Sequence, residues 1–422
     1  MPHNPLNSFN LHRLGQLGTA LLACILSCGN LLTPSATLAA DWPCWRGPAH
    51  NSITPEPIRL DWNTRPPQPV WTAQVGIGFS SCVVVGQQLV TMGHREEHDV
   101  ITCLNTANGQ ELWSYRYPAP LDPNLFEGGP TATPTVHQQR VYTLSRRGVA
   151  CCLDLASGEL LWQKQLQQET GANLPEWGFS GSPLALEAGI LLNMGSHGLL
   201  LNPADGSIRW KSDNSDDAGY STPVLLSRNA DALVLLMSAK AANAVQPTSG
   251  ELVWKFDWIT RYGVNAADPQ ITPQGILLSS GYSKGSTLLQ VGAAGNSPEA
   301  VWRSRDLRNQ MSPGVVLNGH LYAIDGDAGS ATSLRCLRVE DGQLAWSHEG
   351  LGAGTLIATR QHLLILGERG LLVLAAASPE KFASLGELQV LEGKCWTLPA
   401  LAHGRLYCRN AAGKLVCLDL SP

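Results

Sequence analysis

Four short strings in this sequence carry residue types that could do chemistry. His94-Arg95-Glu96-Glu97-His98 has the H-x-x-E-H spacing of an inverse zincin, whose metal chemistry requires a helix presenting both histidines on one side and a third ligand from elsewhere. The string instead separates "QLVTMG" from "DVITCLN", two strand-like runs, so we read it as a solvated hairpin tip. Gly178–Ser182, "GFSGS", departs from the G-x-S-x-G nucleophile elbow at its last position and no helical pattern follows, so Ser180 is not expected to act as a nucleophile. Asp325–Gly329, "DGDAG", has two carboxylates but lacks the rest of a calcium loop; a turn is the expectation and a weak calcium site the alternative. Cys151 and Cys152 are adjacent thiols. Cys152 stands where Cys103, Cys336 and Cys417 stand in "CLN", "CLR" and "CLD", so a small apolar residue filling one repeated core slot accounts for all four. Neighbouring strand residues point to opposite faces, and a bond between these two thiols would need a distorted turn.

The elements that position these residues are set by a repeat. An apolar strand, an Asp/Asn-led turn, a glycine and a tryptophan four residues on recur as Gly109/Trp113, Gly158/Trp162, Gly206/Trp210, Gly250/Trp254 and Gly342/Trp346. Trp302 fits the series with Pro298 in the glycine place, and Trp71 opens it. Trp71, Trp113, Trp162, Trp210, Trp254, Trp302 and Trp346 are therefore read as structural rungs, each docking between neighbouring units with its ring over a turn glycine. One further step falls near Leu388, where "LGELQVL" has no tryptophan. From Pro69 onward the chain divides into eight units of about 44 residues, the length of a four-stranded propeller blade. Such a blade exposes both faces and cannot fold alone, so the units must close into a ring. The chain ends in "KLVCLDLSP", a third strand without a fourth, while "PVWTAQV" at 69–75 is a fourth strand without a blade; together they complete one. The expectation is an all-β, eight-bladed β-propeller over residues 69–422, preceded by an extended segment at 41–68.

Composition bounds the task. The 422 residues carry a formal charge of −5 and no basic stripe, which argues against a nucleic-acid partner. Charged residues are 15 %, against about 25 % in an average soluble protein. Residues 1–16 are polar with Arg13, an interrupted apolar run spans 17–32, Pro34 breaks it and Ala39–Ala40 close it. That is the order of a secretory signal over 1–40, and the run is too short and broken for a comfortable membrane span. Export to the periplasm or outer membrane is expected. Cys24 and Cys28 each follow an apolar triplet ending in a small residue, which leaves membrane attachment by lipidation as an alternative. Nine cysteines remain after cleavage, an odd number, so at least one thiol stays unpaired.

The turn-Gly-x-x-x-Trp unit resembles the repeat of the PQQ-like propeller family, which includes both pyrroloquinoline-quinone (PQQ) dehydrogenases and BamB outer-membrane assembly lipoproteins. The resemblance covers about residues 69–422, and "DWPCWRGP" (41–48), "WGFSGSP" (177–183) and "CWTLPALAHGRLYCRN" (395–410) look like an exported subgroup of it. It implies the propeller and leaves the task open between a scaffold and an enzyme. Many of the dehydrogenases carry a vicinal disulfide, which would make Cys151–Cys152 one, and they bind calcium through Asp, Glu and Asn beside a catalytic Asp. No motif here matches those ligands, and the long insertions that cover the quinone are absent. No catalytic residue and no metal ligand is therefore assigned; PQQ with calcium stays as the alternative cofactor.

The first strand of each blade lines the channel, so its opening residues gather at one mouth. These are Phe79-Ser80-Ser81, Pro130-Thr131, Phe179-Ser180, Tyr220-Ser221, Asn265, Met311-Ser312, Gly354-Thr355 and Trp396-Thr397, with Arg308, Asn309 and Arg409 adding polarity nearby. Hydroxyls mixed with aromatic rings suit a polar, planar or sugar-like ligand. Tight packing of small residues where eight strands crowd the axis is the competing explanation. Three readings follow: a non-catalytic scaffold or binding module with a protein partner or small ligand, a PQQ-dependent alcohol dehydrogenase, and a carbohydrate or small-ligand sensor.

Overall fold

The computed structural model describes residues 40–122, 126–227, 232–292 and 297–422. The expected signal segment, with Cys24 and Cys28, lies outside the described residues apart from Ala40. Eight four-stranded antiparallel sheets form the propeller. The first blade is typical: a short inner strand Val83–Val85, then Gln88–Arg95, His98–Asn105 and the outer Glu111–Pro118. Middle strands are squeezed between neighbouring blades and bury both faces, as in Leu363–Leu366 of the seventh. Outer strands alternate instead, Glu299–Ser304 burying every second residue part-way while the others stay exposed. In the eighth blade Ala400–Ala402, Arg405–Arg409 and Lys414–Asp419 are completed by Pro69–Gln74 from the N-terminal side. The ring closes as the two half-blades require. Among the described residues the one helix is Leu166–Thr170, and no helix is long and apolar enough to cross a membrane.

The tryptophan ladder seals the blade interfaces. In four blades the tryptophan faces a cysteine across the outer strand pair: Trp71 opposite Cys417, Trp113 opposite Cys103, Trp162 opposite Cys152 and Trp346 opposite Cys336. The register shifts just beyond that rung. For Trp113, Trp162 and Trp346 this is the bulge that follows a left-handed turn glycine; the Trp71 strand, which no turn joins to its partner, keeps the same irregularity. Each ring then reaches the next blade. Trp71, Trp113, Trp162, Trp210 and Trp302 lie against Gly109, Gly158, Gly206, Gly250 and Gly342, where a Cβ would meet ring carbons at 2.5–2.7 Å. The indole Nε1 donates across the same interface, from Trp71 to the Thr106 carbonyl (2.9 Å) and from Trp113 to the Leu155 carbonyl (2.9 Å). Glycine is required there because the ring occupies the Cβ position and φ is near +70°.

The seventh blade breaks the series. Its rung falls at Gly386, opposite Leu374, rather than near Leu388. The space is filled by Trp62 of the N-terminal segment, whose own Cβ lies 2.5 Å from where a Cβ on Gly386 would stand. Trp62 is buried in the core shared by the seventh and eighth blades. The polar half of the contact is replaced as well. Leu420 holds the place that Thr106 and Leu155 hold in their blades, and its carbonyl accepts the Arg59 N–H (2.9 Å) instead of an indole.

The rest of that N-terminal segment crosses the channel. Trp42 exchanges two backbone hydrogen bonds with Val84 (2.8 Å each), Pro43 accepts from Val136, and Ser52 and Thr54 bracket Ala358. The buried carboxylate of Glu56 accepts from the backbone N–H groups of Ala40, His403 and Gly404. All but the Ala40 contact lie within or just after the inner strands, so the segment plugs the far end of the channel. The "DWPCWRGP" string is the head of this plug.

Candidate functional site

Antiparallel strands fix what can reach the mouth. An inner strand runs away from it and the second strand returns, so three kinds of residue come together there. They are the residues before each inner strand, the hairpin tips between second and third strands, and the loops entering each blade. They enclose a cavity of about 570 Å³ to which all eight blades contribute. Trp45, carried up by the plug, forms its inner end and donates its Nε1 to Asp268 (2.6 Å).

Six of the twelve residues expected at the mouth line this cavity: Phe79, Thr131, Ser180, Tyr220, Ser312 and Trp396. The other six lie behind it. Ser80 and Phe179 are buried, each one position along the strand from a residue that lines, and a one-residue step turns a side chain to the other face. The Asn265 amide donates to the carbonyls of Ser238, Ala239 and Trp258, and that of Asn309 to those of Ser312 and Ile324. Arg308 is turned to Asp325, which also receives Arg335. Arg409 is fully buried at the closing seam and donates to the carbonyls of Gly76, Gly78, Ser80 and Met92 and to Thr91 Oγ1. With no carboxylate beside it, burial brings its pKa down to about 10.

The sequence reading missed Trp45, Phe126, Arg146, Trp177, Tyr262 and Tyr282, all of which line the cavity. Their signal was topological: Arg146 and Tyr282 sit on the returning hairpin tips, Phe126, Trp177 and Tyr262 on the entering loops. The rings form separate groups round the rim. Phe79 stacks on Trp396 (5.7 Å between centroids) with Phe126 edge-on (4.8 Å), Trp177 meets Tyr220 (5.7 Å), and Tyr262 meets Tyr282 (5.1 Å). Lys394 lies 4.6 Å from the Trp396 centroid and bonds Glu127 (2.7 Å). Burial pushes the Tyr220 phenol up to about 12, so it stays a neutral hydrogen-bonding group.

Carboxylates around the mouth are already engaged. Asp268 accepts from Trp45 and Thr222 beside Arg46, Asp327 accepts the Tyr282 N–H, and Glu368 accepts from Trp396 and Ala353. In "DGDAG", Asp325 is held by its two arginines. His94 is buried against Asp99, and His98 is half-buried at the start of the next strand, beyond a two-residue hairpin tip of Glu96 and Glu97. Among the described residues no group of three His, Cys, Asp or Glu is placed to hold a metal ion. Cys151 and Cys152 are unbonded and buried on the regular strand Val149–Asp154, facing Gln163 and Trp162 in turn. Burial raises both thiols, to about 12 and 11.

Among solved structures, BamB from Moraxella catarrhalis is similar at 14 % identity over 84 % of this chain and 99 % of that one, with a TM-score of 0.61. The quinohemoprotein alcohol dehydrogenase of Comamonas testosteroni gives 12 %, 90 %, 80 % and 0.65, and ADHIIG of Pseudomonas putida HK5 gives 11 %, 90 %, 80 % and 0.62. At these identities they show a shared fold. No curated protein matches the sequence. The sequence model described as outer membrane protein assembly factor BamB matches residues 65–212, 96–348 and 238–391, the greater part of the propeller, and the chain belongs to that family.

Proposed function

We propose that the protein is an exported, non-catalytic binding module of the periplasm or outer membrane that takes a ring-bearing polar ligand into the mouth cavity. The observation that carries this reading is the cavity itself, closed at its inner end by Trp45 and rimmed by aromatic faces interleaved with Thr131, Ser180 and Ser312. Aromatic faces hold an apolar ring face while hydroxyls fix its polar edge. The export part rests on the N-terminal signal pattern and on the outer-membrane name of the family.

A calcium–PQQ centre does not fit the donors at this mouth. Asp268, Asp325 and Glu368 have both oxygens taken by arginine, indole or backbone N–H groups, which leaves Asp327 Oδ2 as a single open donor and no cage. The paired thiols that would lie beside the quinone stand mid-strand on opposite faces. We therefore derive no redox step.

The test is a titration of the mature protein with PQQ plus calcium and with neutral and acidic sugars, following tryptophan fluorescence and dye-linked alcohol oxidation. Saturable quenching without turnover is the expected result, because Trp45, Trp177 and Trp396 line the site. Dye reduction on addition of PQQ and an alcohol would overturn the reading in favour of a dehydrogenase.

A further inference from the structure

Three buried arginines set up a comparison. Arg46, 2 % exposed, donates to Ser52 (3.1 Å) and Gln270 (2.7 Å) beside Asp268. Arg409, 1 % exposed, makes the five hydrogen bonds at the closing seam described above through its two terminal nitrogens, leaving only Nε without a partner. Arg146 is 9 % exposed, yet its side chain has no hydrogen bond and no ion-pair partner among the described residues, and its Nε is sealed from solvent. A buried guanidinium carries five donors and a charge, and the fold ordinarily satisfies both.

Its position explains why the fold does not. Arg146 lies at a hairpin tip of the second blade and lines both the mouth cavity and an adjoining cavity of about 270 Å³. Asp99 and Asp122 line the smaller cavity and attract Arg146 electrostatically, but Asp99 is hydrogen-bonded to His94 and Asp122 is paired with Arg147, and neither forms a hydrogen bond or ion pair with Arg146. The "WGFSGSP" loop clamps its backbone: Phe179 N–H donates to the Arg146 carbonyl (2.9 Å), and Gly178, at φ +71°, leaves no room for a Cβ against Arg146. Two further buried polar atoms at the same mouth have no partner, Trp177 Nε1 and Ser312 Oγ.

We propose that Arg146 is completed by the ligand: a carboxylate or phosphate on the ring-bearing molecule bound in the mouth. This deepens the binding reading above and rests on it. A guanidinium pairs with either anion through parallel N–H donors, and the Trp177–Tyr220 pair supplies a ring surface in the same cavity.

Two measurements on the full mature chain test it. In thermal melts, Arg146→Met should leave the midpoint unchanged or raised, because a buried guanidinium that makes no hydrogen bond or ion pair is removed, whereas Arg409→Met should lower it by several degrees. An equal fall in both variants would make Arg146 a structural staple and overturn the proposal. In calorimetric titrations, glucuronate or glucose 6-phosphate should bind wild type at least about tenfold more tightly than glucose. Arg146→Met should lose that preference while keeping its glucose affinity, and Arg147→Gln should keep both. The sugar acid that is preferred identifies the anion. Equal binding of all three by wild type would overturn the anion site and leave the mouth reading standing; binding of none would overturn both.

Discussion

The two ends of the channel are built to opposite standards. At the plugged end the two fully buried charges are matched, Arg46 against Gln270, Ser52 and Asp268, and Glu56 against three backbone N–H groups, while Arg59 leaves only its Nε without a partner. At the mouth, Arg146 Nε, Trp177 Nε1 and Ser312 Oγ are buried and unmatched. An unmatched buried polar atom costs about 1–3 kcal/mol. Others occur in the blade cores, as at Trp254 Nε1 and Tyr407 Oη, but these three line one cavity.

That contrast can be broken at several points. The largest effect is expected from Arg46→Met, which strands Asp268 and Gln270 in the channel; we expect a loss of about 3–5 kcal/mol in urea unfolding. A loss below 1 kcal/mol would show that the plug is held by its backbone alone. Next is Trp62→Ala, which empties the seventh interface and should cost about 3 kcal/mol, close to Trp113→Ala measured alongside. If only Trp113→Ala destabilises, the borrowed tryptophan is not an equivalent of the ladder. Trp45→Ala tests the boundary between the two ends. It should cost about 1–2 kcal/mol for a half-buried ring and a lost hydrogen bond, yet abolish saturable binding at the mouth. Retained affinity would remove Trp45 from the site. Smallest is Ser312→Ala, which deletes a hydroxyl without a partner and should change stability by less than about 0.5 kcal/mol while weakening ligand binding. A drop of 1 kcal/mol or more would place Ser312 with the structural groups.

The fold was legible because its signal is local and repeated. A glycine and a tryptophan four residues apart determine a turn, a bulge and an interface, and seven rungs sufficed to count eight blades. The eighth rung was not legible, since Gly386 is paired with Trp62, a residue far away in sequence that no period connects to it. The site was half legible for a related reason. Positions before the inner strands could be found from the repeat, but which of two neighbours faces the cavity depends on one step of register, hence Phe79 lines and Ser80 does not, while Ser180 lines and Phe179 does not. Arg146 and Tyr282 were missed because only residues that open the inner strands were considered for the mouth, and the returning second strands bring their hairpin tips there as well. Cys152 was legible as a core residue because the repeat supplied three siblings, Cys103, Cys336 and Cys417.

The closing strand also governs the order in which the molecule can be made. Pro69–Gln74 pairs with Lys414–Asp419, and Arg46 and Trp62 find their partners only after the fifth and seventh blades exist. Because synthesis runs from the N-terminus, these residues are made before the blades they join and wait for them to find their places. Contacts of such long sequence separation make folding slow, and a ring lacking its final strand presents an open sheet edge. Removing Lys414–Asp419 would thus leave two defects, a blade without its third strand and a Pro69–Gln74 strand without its partner.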